Sequence, residues 1–212
     1  MDAQAIYEAA RMGRAHRVQQ LISEALDAGA DPTALLDALI PAIDEVGQRY
    51  RQYDVDIATL LNVARSVQKG MDVLSEAMRG ARQCVGRVIL GTVEGDLHDV
   101  GKNLVAIMLR IYGFEVIDLG VDVSGRQFVE AALQNPDVHI VCLSCLINTS
   151  MPEMRRCTRL IRSDPRLAHV RIMVGGAPIN GRFAEEIGAD VYTDNAVDAA
   201  KAALKMTQDE CL

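Results

Sequence analysis

His98 follows Asp96 by two residues and precedes Gly101 by three, within the run Glu94-Gly95-Asp96-Leu97-His98-Asp99-Val100-Gly101. A carboxylate so close can accept the imidazole Nδ1 proton. The ring is then held in the tautomer whose Nε2 carries the lone pair, which suits it to be a single, oriented metal ligand. Gly95 and Gly101 remove side chains where backbone would approach a large planar ligand, although turn and helix-start chemistry would also place glycines there. The other histidines fit packed or solvated roles, since His139 and His169 precede strand-like runs and His16 lies in a helical pattern.

Other readings of the same residues fail on spacing. A dinucleotide-binding loop needs Gly-x-Gly-x-x-Gly, whereas the glycines here stand at 91, 95 and 101. A P-loop needs four residues between its first glycine and Gly-Lys; five separate Gly95 from Gly101-Lys102, and Asn103 follows instead of Ser or Thr. A zinc site needs three or four clustered ligands, and only His98, Asp96 and Asp99 are at hand. Cys142 and Cys145 have C-x-x-C spacing but end a buried strand pattern instead of opening a helix, so they read as two packed thiols.

The elements that position these residues follow from periodicity. Residues 1 to about 80 are helical in pattern: Ile6 to Met12, Val18 to Leu26 closed by Gly29, a third segment that Asp31 can cap with Pro32 first, and Val55 to Met78. Leu35, Leu36, Leu39, Ile40, Ile43, Val46 and Tyr50 form one apolar stripe on the third, and Pro41 either kinks or breaks it. Four helices with short connections predict a small bundle. After Gly80, strand-like runs at Arg87–Val93, Glu115–Gly120, His139–Leu146, Arg171–Gly176 and Asp190–Thr193 alternate with helical stretches. That alternation predicts an α/β fold with a flavodoxin-like, Rossmann-like five-stranded parallel sheet and helices on both faces. The expected domains are 1–80 and 87–212, joined by a linker at 81–86. With strand order 2-1-3-4-5, a ligand crevice opens at the carboxyl ends of the first and third strands, between the His98 loop and Ser144-Cys145-Leu146-Ile147-Asn148-Thr149-Ser150.

Composition narrows the class. The chain has 212 residues, is 50% apolar and carries a formal charge of -7, so it can bury a core and is a poor partner for a nucleic-acid backbone. No apolar run is long enough to span a membrane, and Met1 to Arg14 lacks a signal-peptide pattern, so a soluble cytoplasmic protein is expected. Five scattered cysteines form no disulfide framework and read as reduced thiols.

Asp96-x-His98-x-x-Gly101, Ser144-x-Leu146 and Gly175-Gly176 together resemble the cobalamin-binding signature of corrinoid proteins and of cobalamin-dependent methionine synthase. The similarity continues through Lys102-Asn103-Leu104-Val105 to Asp118-Leu119-Gly120-Val121, and Pro41 to Met71 resembles the helical cap of methyltransferase corrinoid proteins. The resemblance implies that His98 replaces the cofactor's dimethylbenzimidazole as lower cobalt ligand, in a loop with Gly95, Asp99 and Gly101, and that Asp96 and Ser150 extend a hydrogen-bonded relay from it. It implies a slot for the displaced nucleotide tail, lined by Ser144 and Leu146, passing Gly175, Gly176 and Ala177, and closed by Tyr192 to Ala196. Asn148 stands where the family has a small hydroxyl residue, which alters a corrin-amide contact. Tyr50 and Ile57 fall where the family places large apolar residues over the methyl-bearing corrin face, but the usual aromatic-aliphatic-proline run is Asp56-Ile57-Ala58 here.

The implied function is a methyl carrier. One substrate-specific methyltransferase would load a methyl group onto the bound cobalamin, which cycles between cob(I)alamin and methylcobalamin, and an acceptor methyltransferase would remove it. A reductive activator is a further implied partner; nucleic acid and membrane are not. With no room for a methyl-donor-binding barrel, the chain alone is expected to turn nothing over. Two other cobalamin readings compete: the cobalamin domain of a mutase, which would not need the cap, and a cobalamin-dependent regulator, which would add a DNA-binding helix-turn-helix. A phospho-receiver domain would carry aspartate at the end of the third strand, where Ser144 stands.

Overall fold

The computed structural model describes residues 3–77 and 84–208. The chain divides into two units, Met1–Gln83 and Cys84–Leu212. Residues 81–83 of the expected linker, Met78 and Cys211 lie outside the described residues.

The first unit consists of α1 (Ala3–Arg11), α2 (Ala15–Asp27), α3 (Pro32–Arg51) and α4 (Ile57–Ala77). Its core is the set of apolar residues at three- and four-residue spacing, with Ile6, Val18, Ile22, Leu35, Leu39, Ile43, Leu60, Val63, Val67 and Leu74 almost fully buried. α2, α3 and α4 meet at Gly70, where a Cβ would stand 2.8 Å from both Ile22 Cδ1 and Leu39 Cδ1. α3 runs unbroken through Pro41. The proline lies on the exposed face, so the lost backbone bond falls on the solvent side while Leu39, Ala42 and Ile43 stay in the core. α4 starts at Ile57 instead of Val55 because the Asp56 carboxylate accepts the Thr59 N–H at 2.8 Å and caps the helix.

In the second unit the order is β1 (Gly86–Thr92), α5 (Val100–Ile111), β2 (Phe114–Asp118), α6 (Gly125–Gln134), β3 (Val138–Ser144), α7 (Met151–Ser163), β4 (Arg171–Gly175), α8 (Gly181–Ile187), β5 (Val191–Tyr192) and α9 (Ala196–Gln208). The strands are parallel in the order β2-β1-β3-β4-β5. α5 packs with α9, and α6 packs with α7. Ile89, Val141, Leu143, Ile172 and Val174 meet Phe128, Met154, Ile161 and Phe183 in one core cluster. Alternate residues Val88, Leu90, Ile140 and Met173, also buried, turn to the other face. Gly91 clears space for the Phe128 ring, whose Cζ would be 2.8 Å from a Cβ there.

All five strands end before the runs read from the sequence, β2 and β3 by two residues. β2 stops at Asp118, although the Leu119 N–H still donates to Leu90 C=O at 2.8 Å; Gly120 then turns the chain at φ +85°, its N–H held by the Asp118 carboxylate at 2.9 Å. β3 stops at Ser144 because the Leu146 N–H leaves the ladder for the Asp96 carboxylate.

Candidate functional site

The sheet register aligns Thr92, Ser144 and Gly175 across β1, β3 and β4, so the loops following these strands leave from one edge. Backbone bonds continue one residue past that line. Val93 N–H donates to Ser144 C=O at 3.0 Å, and Cys145 N–H donates to Gly175 C=O at 3.1 Å.

Asp96 is fully buried within the β1 loop. Its Oδ1 lies 2.7 Å from His98 Nδ1 and accepts the His98 N–H at 3.0 Å, while Oδ2 accepts the Leu146 N–H at 2.6 Å. Burial alone would push this carboxyl up. The amides of Leu146 and His98, then the imidazole, outweigh that effect and hold it below the ordinary carboxylate range. An ionised Asp96 has no proton to give, so Nδ1–H is the donor, and in the neutral ring Nε2 carries the lone pair. The His98 side chain is 54% exposed, and among the described residues Nε2 has no hydrogen-bond partner.

The loop is held at several other points. Thr92 Oγ1 donates to His98 C=O at 2.9 Å. Asp122, a non-glycine residue at φ +56°, donates its N–H to Asp96 C=O at 3.1 Å and accepts the Gly95 N–H on Oδ1 at 2.7 Å. Asp99 accepts from Asn103 Nδ2 at 3.1 Å as α5 begins, and Gly101 has open space around its missing Cβ. Leu97, Val100 and Leu146 expose 72%, 59% and 43% of their surface, a large share for apolar residues of a packed domain.

The hydroxyl expected at the end of the relay is placed differently. Among the described residues the donors to the Asp96 carboxylate are His98 and Leu146, and Ser150 is not one of them. Ser150 is buried, with its Oγ 3.4 Å from where a Gly95 Cβ would stand. The Leu146 amide, in the loop after β3, takes that place.

Gly175 ends β4, Gly176 and Ala177 follow it, and Gly176 adopts φ +128°. A Cβ on Gly176 would stand 1.8 Å from the Cys145 carbonyl oxygen, whereas one on Gly175 meets only Thr193 C=O, at 3.4 Å. The glycine at 176 therefore answers first to the protein's own backbone. Tyr192, at the end of β5, donates its hydroxyl to Asp194, and that bond, with burial, pushes its pKa up to about 12. Ala196 opens α9 and is buried, and Asn148 is exposed in the β3 loop. Cys142 and Cys145 are buried free thiols; burial pushes Cys145 up to about 11 and Cys142 higher still. Neither is a thiolate at neutral pH, in accord with a packing role.

In the helical unit, Tyr50 is half-buried in α3 and Ile57 is 42% exposed at the start of α4. Tyr53, between them, is 97% exposed at φ +58°. Sequence reasoning passed over Tyr53, and also over Thr92, Leu97, Val100 and Asp122. An aromatic residue in a polar interhelix loop, and apolar residues on both sides of the histidine, were the available signals.

Residues 86–204 match a family described as B12 binding domain, and residues 2–75 match a second family of the same description. Trimethylamine corrinoid protein 2 of Methanosarcina acetivorans is 38% identical over 195 residues, covering 88% of this chain and 89% of that protein. A cobalamin-binding protein from Desulfitobacterium hafniense superposes with a TM-score of 0.83 at 26% identity, over 97% of this chain and 98% of that one. A chain of the methanol:cobalamin methyltransferase complex of Methanosarcina barkeri superposes with a TM-score of 0.79 at 27% identity, over 97% of this chain and 79% of that one.

Proposed function

Because the chain belongs to the B12 binding domain family, we propose that it is a corrinoid methyl carrier in which His98 is the lower axial ligand of cobalamin. The observation that carries this reading is the exposed imidazole whose Nδ1 is tied to a buried, ionised Asp96 and whose Nε2 has no partner among the described residues. The residues present fit the group: Leu97, Val100 and Leu146 offer apolar surface beside the ligand, and the hydrogen-bond donors around Asp96 are already engaged in holding the loop.

When bound, cobalamin supplies a cobalt centre that accepts a methyl group from one partner and gives it up to another. The chain's own contribution is orientation. Asp96 fixes the imidazole tautomer, Thr92 and Asp122 hold the loop backbone, and the aligned ends of β1, β3 and β4 frame the crevice for the nucleotide tail. Ser144, Leu146, Gly175 and Ala177 are assigned to that slot and Tyr192 to its far end; Tyr50 and Ile57 are assigned to cover of the methyl-bearing face. The partners are a substrate-specific methyltransferase, an acceptor methyltransferase and a reductive activator. Support for methyltransferase partners comes from the relatives, one a trimethylamine corrinoid protein and another part of a methanol:cobalamin methyltransferase complex.

The test is paramagnetic resonance on the cob(II) form, reconstituted with cobalamin whose dimethylbenzimidazole nitrogens are isotopically labelled. No coupling to the labelled base is expected, together with coupling to a histidine nitrogen that disappears in His98→Ala. Coupling to the labelled base would overturn the assignment.

A further inference from the structure

Asp96 and Lys102 are the buried charged side chains among the described residues, and both lie in the segment that carries His98. The imidazole and two amides account for Asp96. Lys102, 3% exposed, donates from Nζ to both oxygens of Asp118, at 2.7 and 2.6 Å, and to Asn103 Oδ1 at 2.8 Å. Removing an ammonium from water carries a desolvation cost that a contacting carboxylate repays only in part, so stability alone is a weak reason for this arrangement.

The partners of the pair supply another reason. An ammonium only donates, so the Asn103 carbonyl oxygen must face Lys102. Its Nδ2 is thereby turned toward Asp99, where it donates at 3.1 Å. On the other side, Asp118 Oδ1 accepts the Gly120 N–H at 2.9 Å, Gly120 C=O accepts the Thr92 N–H at 3.0 Å, and Thr92 Oγ1 reaches His98 C=O at 2.9 Å. His98 therefore lies between two arms of one hydrogen-bonded circuit, and both arms begin at the Lys102–Asp118 pair.

We propose that Lys102 is a positioning residue for the axial ligand: paired with Asp118 at the end of β2, it fixes His98 through Asn103 and Asp99 on one side and through Gly120 and Thr92 on the other. This rests on the reading of His98 as the cobalt ligand. Asp96 sets the tautomer and ring direction, and the Lys102 circuit sets where the ring's backbone stands. A site of this kind works only when its supporting shell holds it to about 0.5 Å.

The experiment is paramagnetic resonance of the cob(II)-loaded protein, with thermal melts alongside, on wild type, Asn103→Leu and the double variant Lys102→Met/Asp118→Asn. Wild type should show the triplet splitting of one coordinated nitrogen, becoming a doublet when histidine is labelled with nitrogen-15. Asn103 is exposed, so its variant should melt as wild type does. The double variant removes the buried charge together with its counter-charge, and the amide oxygen that replaces the Asp118 carboxylate can still accept from Gly120. In each variant the share of cobalt with the nitrogen splitting should fall by roughly threefold or more while cobalamin stays bound. Folded, loaded variants with wild-type splitting would overturn the role of Lys102, and should the double variant fail to fold, Asn103→Leu decides alone. A wild type without the splitting would instead overturn the assignment of His98 and this inference with it.

Discussion

The carbonyl oxygen of Cys145 fills the space a side chain on Gly176 would need, 1.8 Å from an ideal Cβ. A residue in that position must displace the backbone of the β3 loop, whose next amide, Leu146 N–H, is bonded to Asp96. Gly176 also stands at φ +128°, where other residues are strained. Gly176→Val should therefore lower the melting temperature and disturb the His98 loop as well as weaken cobalamin binding. That differs from the simple expectation of a blocked tail slot in an intact fold.

Gly175→Ala is the cleaner probe of the tail path, because its Cβ meets only Thr193 C=O at 3.4 Å. The fold should survive with little change in melting temperature. Cobalamin affinity should fall by about tenfold, equivalent to about 1.4 kcal/mol, if the tail passes against this backbone. Titration with hydroxocobalamin measures it; an unchanged affinity would move the tail path elsewhere.

The parallel sheet was legible in the sequence because its strands are buried on both faces and read as continuous apolar runs, Val88 to Leu90 and Ile140 to Leu143 among them. The strand order could be taken from the fold class, and Asp96 with His98 could be paired from spacing alone. Strand ends were less legible. Leu146 looks like a strand residue, yet β3 stops before it because the Asp96 carboxylate captures its amide, and β2 stops before Leu119 although the Leu119 N–H still donates to Leu90 C=O. The support around His98 was not legible as a unit: Thr92, Lys102 and the Asp118–Asp122 turn come from three separate stretches, and no periodicity links them. Ser150 illustrates the converse, a role carried over by resemblance to a residue whose hydroxyl lies beside Gly95 and not among the donors to Asp96.

Three buried thiols make the α/β unit sensitive to alkaline pH. Burial raises Cys145 to about 11, Cys157 to about 12 and Cys142 further. In the unfolded chain each ionises near pH 8.5, so above that pH the unfolded state has fewer bound protons and stability must fall as pH rises. Between pH 7.5 and 10 the loss is about 2 kcal/mol per thiol. Urea unfolding at both pH values, with reductant present, should show Cys142→Ala losing about 2 kcal/mol less than wild type over that interval. Equal losses would mean that the Cys142 thiol is accessible in the folded protein.

His98→Ala removes the proposed axial ligand but leaves the aligned ends of β1, β3 and β4 and the Gly175 backbone untouched. Cobalamin should still bind, more weakly, and the nitrogen splitting of its cob(II) form should vanish. Equilibrium dialysis and paramagnetic resonance on one preparation separate the two effects. A complete loss of binding would show that the tail slot contributes little affinity without the ligand.

Asp96→Asn tests how the carboxylate sets the imidazole tautomer. The change keeps the side-chain volume but replaces one of two acceptor oxygens with a donor, in a position that is fully buried. If the amide nitrogen faces Leu146, two donors oppose each other at a site that now measures 2.6 Å, which costs about 1–3 kcal/mol. If it faces the imidazole instead, Nδ1 must become the acceptor, and the His98 N–H, which donates to the same Asp96 oxygen, loses its acceptor. The ring proton then moves to Nε2, and the nitrogen that should reach cobalt has no lone pair to offer. Both orientations reduce ligation, the first through the fold and the second through the tautomer, and nitrogen-15 resonances of the cofactor-free protein distinguish them. Wild type should show the Nδ1–H form of His98. The variant should show a lower melting temperature in either orientation, with the Nδ1–H form retained in the first and the Nε2–H form in the second. Wild-type stability together with the Nδ1–H form in Asp96→Asn would remove Asp96 from control of the ligand.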